Sequence, residues 1–237
     1  MSLLAKLEGQ LNSQEREQIR AAIARLLPRK PICLEVGTYK GGGSTLQILQ
    51  ALAEGDGHLF GIEASPEVFR EMTDSLSARE PQLYRRFSPV CGFSQSVIPK
   101  LMVEGKITRL DFVFLDGGNN PREQMEEFFL LDPLMPAGSI LMAHDALLRK
   151  GKWLRRFLPQ LDHYQTEILS ISTEGLLVAR KTALQPGFMG RIRARLMLLF
   201  CQLSPLELAA RWVPSSVRAC FFRLLPSKVG AWIADGR

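Results

Sequence analysis

Apolar residues recur along this chain at two spacings, and the element type changes where the spacing changes. Behind Asn12-Ser-Gln-Glu15, the pattern of a helix-capping box, Ile19, Ile23, Leu26 and Leu27 follow at helical intervals as far as Pro28. They predict an amphipathic lead-in helix, and residues 1–30 read as an N-terminal helical segment. From Ile32 onward, short apolar runs alternate with helical stretches. Strands are expected at 32–36, 59–63, 87–91, 110–115 and 139–143, and helices near 45–53, 66–76, 97–104, 121–131 and 152–161. Such alternation builds a parallel sheet with crossover helices. Two further runs, 164–171 and 176–179, flank Ser172-Thr-Glu-Gly175 and read as an antiparallel hairpin that closes the sheet. The expected fold class is α/β, a doubly wound, Rossmann-like, mostly parallel sheet with a C-terminal antiparallel hairpin. It spans 31–184 and is followed by a helical tail, 185–237, broken at Pro205, Pro214 and Pro226.

Composition narrows this picture only a little. With 237 residues, 46% hydrophobic and 23% charged, the chain can bury one substantial core and is neither disordered nor collagen-like. Cys33, Cys91, Cys201 and Cys220 form no C-x-x-C pair and have no His-rich partner segment, which argues against zinc and for a reduced, cytoplasmic setting. Lys6 and Glu8 interrupt the stretch that a signal peptide would keep apolar, and no run reaches the length of a membrane span.

Charge placement says more than the net +6. Residues 185–237 carry basic side chains at 191, 193, 195, 211, 218, 223, 228 and 237 against only Glu207 and Asp235, while the rest of the chain balances at 22 basic and 22 acidic residues. Ile192, Leu196, Leu199 and Leu203 share one helical face with Arg191 and Arg195 turned away, and Phe221, Phe222 and Trp232 add apolar bulk. A basic amphipathic tail can lie on an anionic membrane surface, dock on its own domain, or join two subunits as a homodimer. A cytoplasmic protein is expected, with peripheral attachment to the inner face of a membrane as one use of the tail. The tail lacks a nucleic-acid module, so no nucleic-acid partner is expected.

Candidate chemistry gathers at the carboxyl ends of the strands, the edge where open α/β sheets bind ligands. The first strand runs into Glu35-Val-Gly-Thr-Tyr-Lys-Gly-Gly-Gly-Ser44. Glycine there permits positive φ and close approach of a ligand, and the following helix N-terminus offers free N–H groups to a carboxylate. The loop lacks the G-x-G-x-x-G of nicotinamide sites, which disfavours an oxidoreductase. Glu63, at the end of the second strand, can accept hydrogen bonds from both hydroxyls of a ribose.

Three segments carry a resemblance to a known family: Leu34-Glu-Val-Gly-Thr-Tyr39, then Gly92-Phe-Ser-Gln95 with Val97-Ile-Pro-Lys-Leu101, then Asp111-Phe-Val-Phe-Leu-Asp116. From about residue 32 to 181 the chain resembles class I S-adenosylmethionine-dependent methyltransferases, in particular the catechol O-methyltransferase-like and bacterial sugar O-methyltransferase-like branch. The resemblance implies that Glu35, Gly37, Tyr39, Gly41 and Ser44, with Thr38, hold the methionine end of the cofactor. It assigns Glu63, with Ala64, to the ribose, and Gly92, Phe93, Ser94 and Gln95 to the adenine edge. The glycine loop is one residue longer here than in the catechol enzymes.

Asp116 ends the fourth strand and His144-Asp145 the fifth. In the resembling family these three positions hold a divalent metal, usually magnesium, through two aspartates and an asparagine. Here a histidine replaces one oxygen ligand, so His144 either stands aside, shifts the preference toward manganese, iron or zinc, or serves as a base. A further reading leaves His144 and Asp145 as a local strand cap. The lysine base of the catechol enzymes falls at Asn119, which cannot take a proton. The sugar enzymes read F-I-D-G-x-H-x-Y and F-H-D; this chain keeps Phe114-Leu-Asp-Gly117 and His144-Asp145 but has Asn119 and Pro121 at the His and Tyr positions.

Lys150, Lys152, Arg155 and Arg156 surround Trp153 as a basic cluster, read as a solvated helix face or as the wall of a pocket for an anionic acceptor. His163 reads as loop structure and His58 as a strand start without a partner. The expected activity is S-adenosylmethionine-dependent O-methylation of a small-molecule, sugar or lipid-linked acceptor, with Asp116, His144 and Asp145 beside the reacting oxygen, as ligands of magnesium or manganese where a metal assists. The competing expectations are a non-catalytic cofactor-binding scaffold recruited by its tail and a nicotinamide-dependent oxidoreductase.

Overall fold

The structure, a computed structural model, describes residues 11–202. The tail features expected beyond 202, with Lys6 and Glu8, lie outside the described residues. Seven strands form one sheet in the order β3-β2-β1-β4-β5-β7-β6: β1 (Ile32–Val36), β2 (His58–Glu63), β3 (Phe87–Cys91), β4 (Phe112–Leu115), β5 (Ile140–Ala143), β6 (Tyr164–Leu169) and β7 (Leu176–Lys181). The first five run parallel, whereas β7 pairs antiparallel with β5 and β6 antiparallel with β7. The strand order reverses between β1 and β4, and that reversal opens a crevice at their carboxyl ends.

Local sequence explains most of the elements. Asn12 and Glu15 cap α1 (Ser13–Ala24) reciprocally, satisfying orphan N–H groups at its first turn. Ser65 caps α3 (Pro66–Arg79) with Pro66 in its first turn. β1 and β4 are buried along nearly their whole lengths, because helices cover both faces of a parallel sheet. On one face, Ile19 and Ile23 of α1 join Ile48, Leu49 and Leu52 of α2 (Ser44–Ala53) against Cys33 and Leu59. The lead-in helix is thus built into the main core. Elsewhere Phe128 meets Phe157 and Tyr164 edge-on at ring centroid distances of 5.9 and 6.0 Å.

Several boundaries differ from the sequence expectation for definable reasons. The expected fourth strand starts two residues later, at Phe112, although the Asp111 N–H donates to the Ile32 carbonyl at 2.8 Å and its carbonyl accepts the Ile140 N–H at 2.9 Å, while its buried carboxylate accepts the Ile32 N–H. The helix expected at 152–161 is three short pieces, a 3-10 turn at Lys150–Lys152, α7 at Leu154–Phe157 and another 3-10 turn at Leu158–Gln160, interrupted by Gly151 and Pro159. Between α3 and β3 lies a short helix α4 (Pro81–Tyr84) that the pattern did not announce. Further on, α5 (Ser94–Val103) starts before the expected residue 97 and tolerates Pro99, and α6 (Pro121–Leu131) stands as expected. His58 does have a partner, with Nε2 2.9 Å from Ser88 Oγ on the neighbouring strand.

Where the tail was expected to begin at 185, the compact unit runs on to Ala194, and a second unit begins at Arg195. The boundary falls inside α8 (Phe188–Gln202). No helix among the described residues is long and apolar enough to cross a membrane.

Candidate active site

The loop after β1 is shaped by close backbone approach. Gly37 has φ +88°, and a Cβ there would lie 2.6 Å from Gly117 N and 2.7 Å from the Asp116 carbonyl carbon. Only glycine therefore lets β1 and β4 emerge side by side at the crevice. Tyr39 also takes a positive φ of 47°, uncommon for a bulky residue, which turns its N–H toward Glu63. That N–H donates to Glu63 Oε2 at 2.9 Å, and the Ser65 N–H donates to Oε1 at 3.0 Å. The Glu63 carboxylate is thus fixed in orientation, with lone pairs left over. Ala64 beside it is exposed.

Beneath this loop lies Glu35, with no exposed surface. Its Oε1 accepts the Ser44 hydroxyl, and its Oε2 has no hydrogen-bond partner among the described residues. Burial pushes the Glu35 carboxyl up to about 8, against the hydrogen bond from Ser44 that pulls it down. Ser44, expected at the methionine end, spends its hydroxyl on Glu35. Thr38 is buried, with its hydroxyl unpartnered among the described residues, and Gly41, at φ +79°, lets the loop close over Leu76. No side chain caps the N-terminus of α2, which starts behind Gly43, so its first N–H groups meet no side-chain acceptor.

At the third strand end Gly92 has φ +144° and Phe93 is 70% exposed, presenting an open aromatic face. Ser94, expected at an adenine edge, turns inward, its hydroxyl 2.6 Å from Glu127 Oε1 of α6 and 3.1 Å from Gln95 Oε1. Glu127 is buried, its Oε2 has no hydrogen-bond partner among the described residues, and burial pushes its carboxyl up to about 7.

Asp116, His144 and Asp145 do converge: each offers a ligand atom, and these atoms lie within 4.8 Å of one another. His144 Nδ1 is 3.4 Å from Asp116 Oδ1 and 3.2 Å from Asp145 Oδ1. Its Nε2 is 3.2 Å from Glu15 Oε1, which also accepts the Ser172 hydroxyl at 2.6 Å. Both ring nitrogens therefore face carboxylates. Burial disfavours a charge on His144, but the hydrogen bonds and charges of Asp116 and Asp145 outweigh it and raise the imidazole to about 10. Asp145, with an unusual φ of 59°, would be raised by burial, yet His144 and Lys150 hold it down at about 2.

Two members of this cluster escaped the sequence reading. Glu15 reads as a helix cap, and one of its oxygens does accept the Asn12 N–H at 3.0 Å, but the other reaches His144 across the fold. Lys150 reads as part of a solvated basic face, yet it is only 5% exposed. Its Nζ lies 2.9 Å from Asp116 Oδ1 and 2.7 Å from Asp145 Oδ2. Gly151 allows this: a Cβ there would lie 2.5 Å from Ala146 Cα, so only glycine lets the loop after β5 fold back far enough. The hairpin pins the same loop, with the Ala146 and Leu147 N–H groups donating to Gly175 and Glu174 carbonyls at 3.0 and 2.7 Å. Asn119, in place of the family's lysine, is exposed. Lys152 and Arg156 are exposed as a solvated face should be.

The geometry matches a known group of folds. Residues 34–146 match the family model described as a methyltransferase domain. Among solved structures, the O-methyltransferase TomG from Streptomyces achromogenes, involved in tomaymycin synthesis and bound to SAM, is 20% identical, with 73% of this chain and 82% of that one covered at a TM-score of 0.61. An O-methyltransferase from Bacillus cereus in complex with SAH is 17% identical over 76% of this chain and 84% of its own, with a TM-score of 0.59. No curated protein matches the chain in sequence. The matched segment is thus similar to a methyltransferase domain, and the sheet shares its fold with the solved O-methyltransferases.

Proposed function

We propose that the protein transfers the methyl group of S-adenosylmethionine to a hydroxyl oxygen of a small-molecule, sugar or lipid-linked acceptor. The observation that carries the cofactor assignment is the unpartnered, fully buried Oε2 of Glu35 beneath the glycine loop. A buried carboxyl in that state favours its proton unless a cation arrives. The ammonium of the methionine end is such a cation, and the uncapped start of α2 suits the adjoining carboxylate. Glu63, held by the N–H groups of Tyr39 and Ser65, retains lone pairs for a ribose diol. Phe93 offers a stacking face for adenine, while Gly92 and Gln95 border it.

When bound, S-adenosylmethionine supplies a methyl carbon made electrophilic by its sulfonium. The chain then has to position an acceptor oxygen in line with that carbon and receive the acceptor's proton. The new O–C bond forms as the S–C bond breaks, its electron pair staying on sulfur. Both His144 nitrogens are engaged by carboxylates and both Asp145 oxygens by His144 and Lys150, so the group on this edge that receives the proton is Asp116, through Oδ2. The oxygen specificity is supported by the solved O-methyltransferases of the same fold.

Thermal shift with S-adenosylhomocysteine against NAD tests the cofactor. A ligand at 100 times its Kd adds about 2.7 kcal/mol of stability, so the first should raise Tm and the second leave it unchanged. Absence of a shift with S-adenosylhomocysteine refutes the reading. Methyl transfer to a panel of hydroxylated, aminated and thiol acceptors, read by mass spectrometry, then tests the oxygen specificity, and transfer to nitrogen or sulfur alone would refute it.

For the tail, the basic excess of 185–237 and the exposed Phe188, Met189 and Ile192 at the start of α8 favour an anionic membrane surface. The full chain should sediment with anionic vesicles and not with neutral ones. Equal partitioning, or a homodimer that sediments with neither, refutes this.

A further inference from the structure

We propose that Lys150 is a built-in cation that takes the place of a divalent metal between Asp116 and Asp145, so that this site works without one. Asp116, His144 and Asp145 are close enough to share an ion. The space between the two carboxylates, however, is already filled by the ammonium of Lys150. An ammonium has three N–H donors. Here they have three acceptors: Asp116 Oδ1 at 2.9 Å, Asp145 Oδ2 at 2.7 Å and the Asp116 carbonyl oxygen at 3.3 Å. The two carboxylate separations are those of charge-assisted hydrogen bonds. A divalent ion bridging the same oxygens would need ligand distances of about 2.1 Å and the expulsion of Nζ.

Expulsion has nowhere convenient to go. Lys150 is buried, its backbone belongs to the 3-10 turn Lys150–Lys152, and Gly151 presses that turn against Ala146. An evicted ammonium would lose both counter-ions that now accept its N–H groups. The third position is no better suited, since both ring nitrogens of His144 already face carboxylates. Two carboxylates at one strand edge need a positive charge between them, and this chain provides it covalently, on the loop that follows β5.

Lys150 is accordingly a positioning residue. It fixes the orientation of Asp116 and Asp145, whose side chains remain 23% and 19% exposed toward the crevice where the acceptor would sit. That role in methyl transfer rests on the function proposed above, but the exclusion of metal does not.

Manganese binding followed by electron paramagnetic resonance tests it on the full chain, as wild type, Lys150→Arg and Lys150→Met. Wild type and Lys150→Arg should leave added Mn2+ free, whereas Lys150→Met, which removes the ammonium from between the two carboxylates, should bind it at least about tenfold more tightly. A saturable Mn2+ site in the wild type, or no gain in Lys150→Met, overturns the proposal. Should Lys150→Met fail to fold, the wild-type titration decides alone, a saturable site overturning the proposal and its absence upholding it. An S-adenosylhomocysteine thermal shift on the same samples reports separately on the cofactor assignment, so failure of the two readings can be told apart.

Discussion

Glu35→Gln turns the most buried charge of the site into a pH experiment. In the free protein the carboxyl is raised by burial to about 8, from the 4.5 of an ordinary glutamate. A raised carboxyl binds its proton more tightly folded than unfolded, so stability is greatest below the unfolded value and is lost as pH rises toward the folded one. At about 1.36 kcal/mol per pKa unit, Glu35 costs the free protein about 2 kcal/mol between pH 6 and pH 8. For a domain of this size that is a fall in Tm of roughly 4–8 °C. The amide cannot ionise, and its own hydrogen-bonding deficit is the same at every pH. Scanning calorimetry of wild type and Glu35→Gln from pH 6 to pH 8 isolates the term, because Glu127, raised to about 7, contributes equally to both. The variant should have the flatter profile and should lose most of the stabilisation by S-adenosylhomocysteine, having no anion to meet the ammonium. Parallel pH profiles would refute the assignment of Glu35 as a buried, unpaired carboxyl.

Gly37→Ala should destabilise by about 2–4 kcal/mol in urea, since it adds a backbone clash at 2.6 Å to an unfavourable positive φ; a change under about 0.5 kcal/mol would show that the β1 and β4 ends are not so closely apposed. Glu15→Ala removes the acceptor of His144, Ser172 and the Asn12 N–H and should cost about 2 kcal/mol, whereas Glu17→Ala, whose side chain is 65% exposed, should stay within about 0.5 kcal/mol. Equal effects of the two in chemical denaturation would deny α1 its link to the site. Phe128→Ala, at 1% exposure amid Phe129, Phe157 and Tyr164, should lose about 3–5 kcal/mol by the same measurement, and a loss below about 1 kcal/mol would mean that the aromatic cluster collapses around the gap.

The sequence by itself determined the sheet and the residues that gather at the carboxyl ends of its strands. Alternation of short apolar runs with 3.6-period stretches is a local signal, and it located β1, β3 and α6 to the residue. Gly37, Gly41 and Glu63 were legible as strand-end residues because glycines and acids cluster where parallel strands run into loops. The aspartates at the ends of β4 and β5 were legible for the same reason. What those residues touch was not. Glu15 and His144 are far apart in sequence, and their contact exists only because α1 packs beside α2 while the hairpin loop brings Ser172 to the same carboxylate. Ser44 and Ser94 lie at the expected loops, but the direction of each hydroxyl, toward Glu35 and Glu127, follows from packing. Lys150 shows the limit most clearly. Next to Lys152, Arg155 and Arg156 it reads as solvated charge, because a one-dimensional pattern cannot tell an ammonium in water from one between two carboxylates. The folded-back loop at Gly151 decides between them, and tertiary structure alone sets that loop.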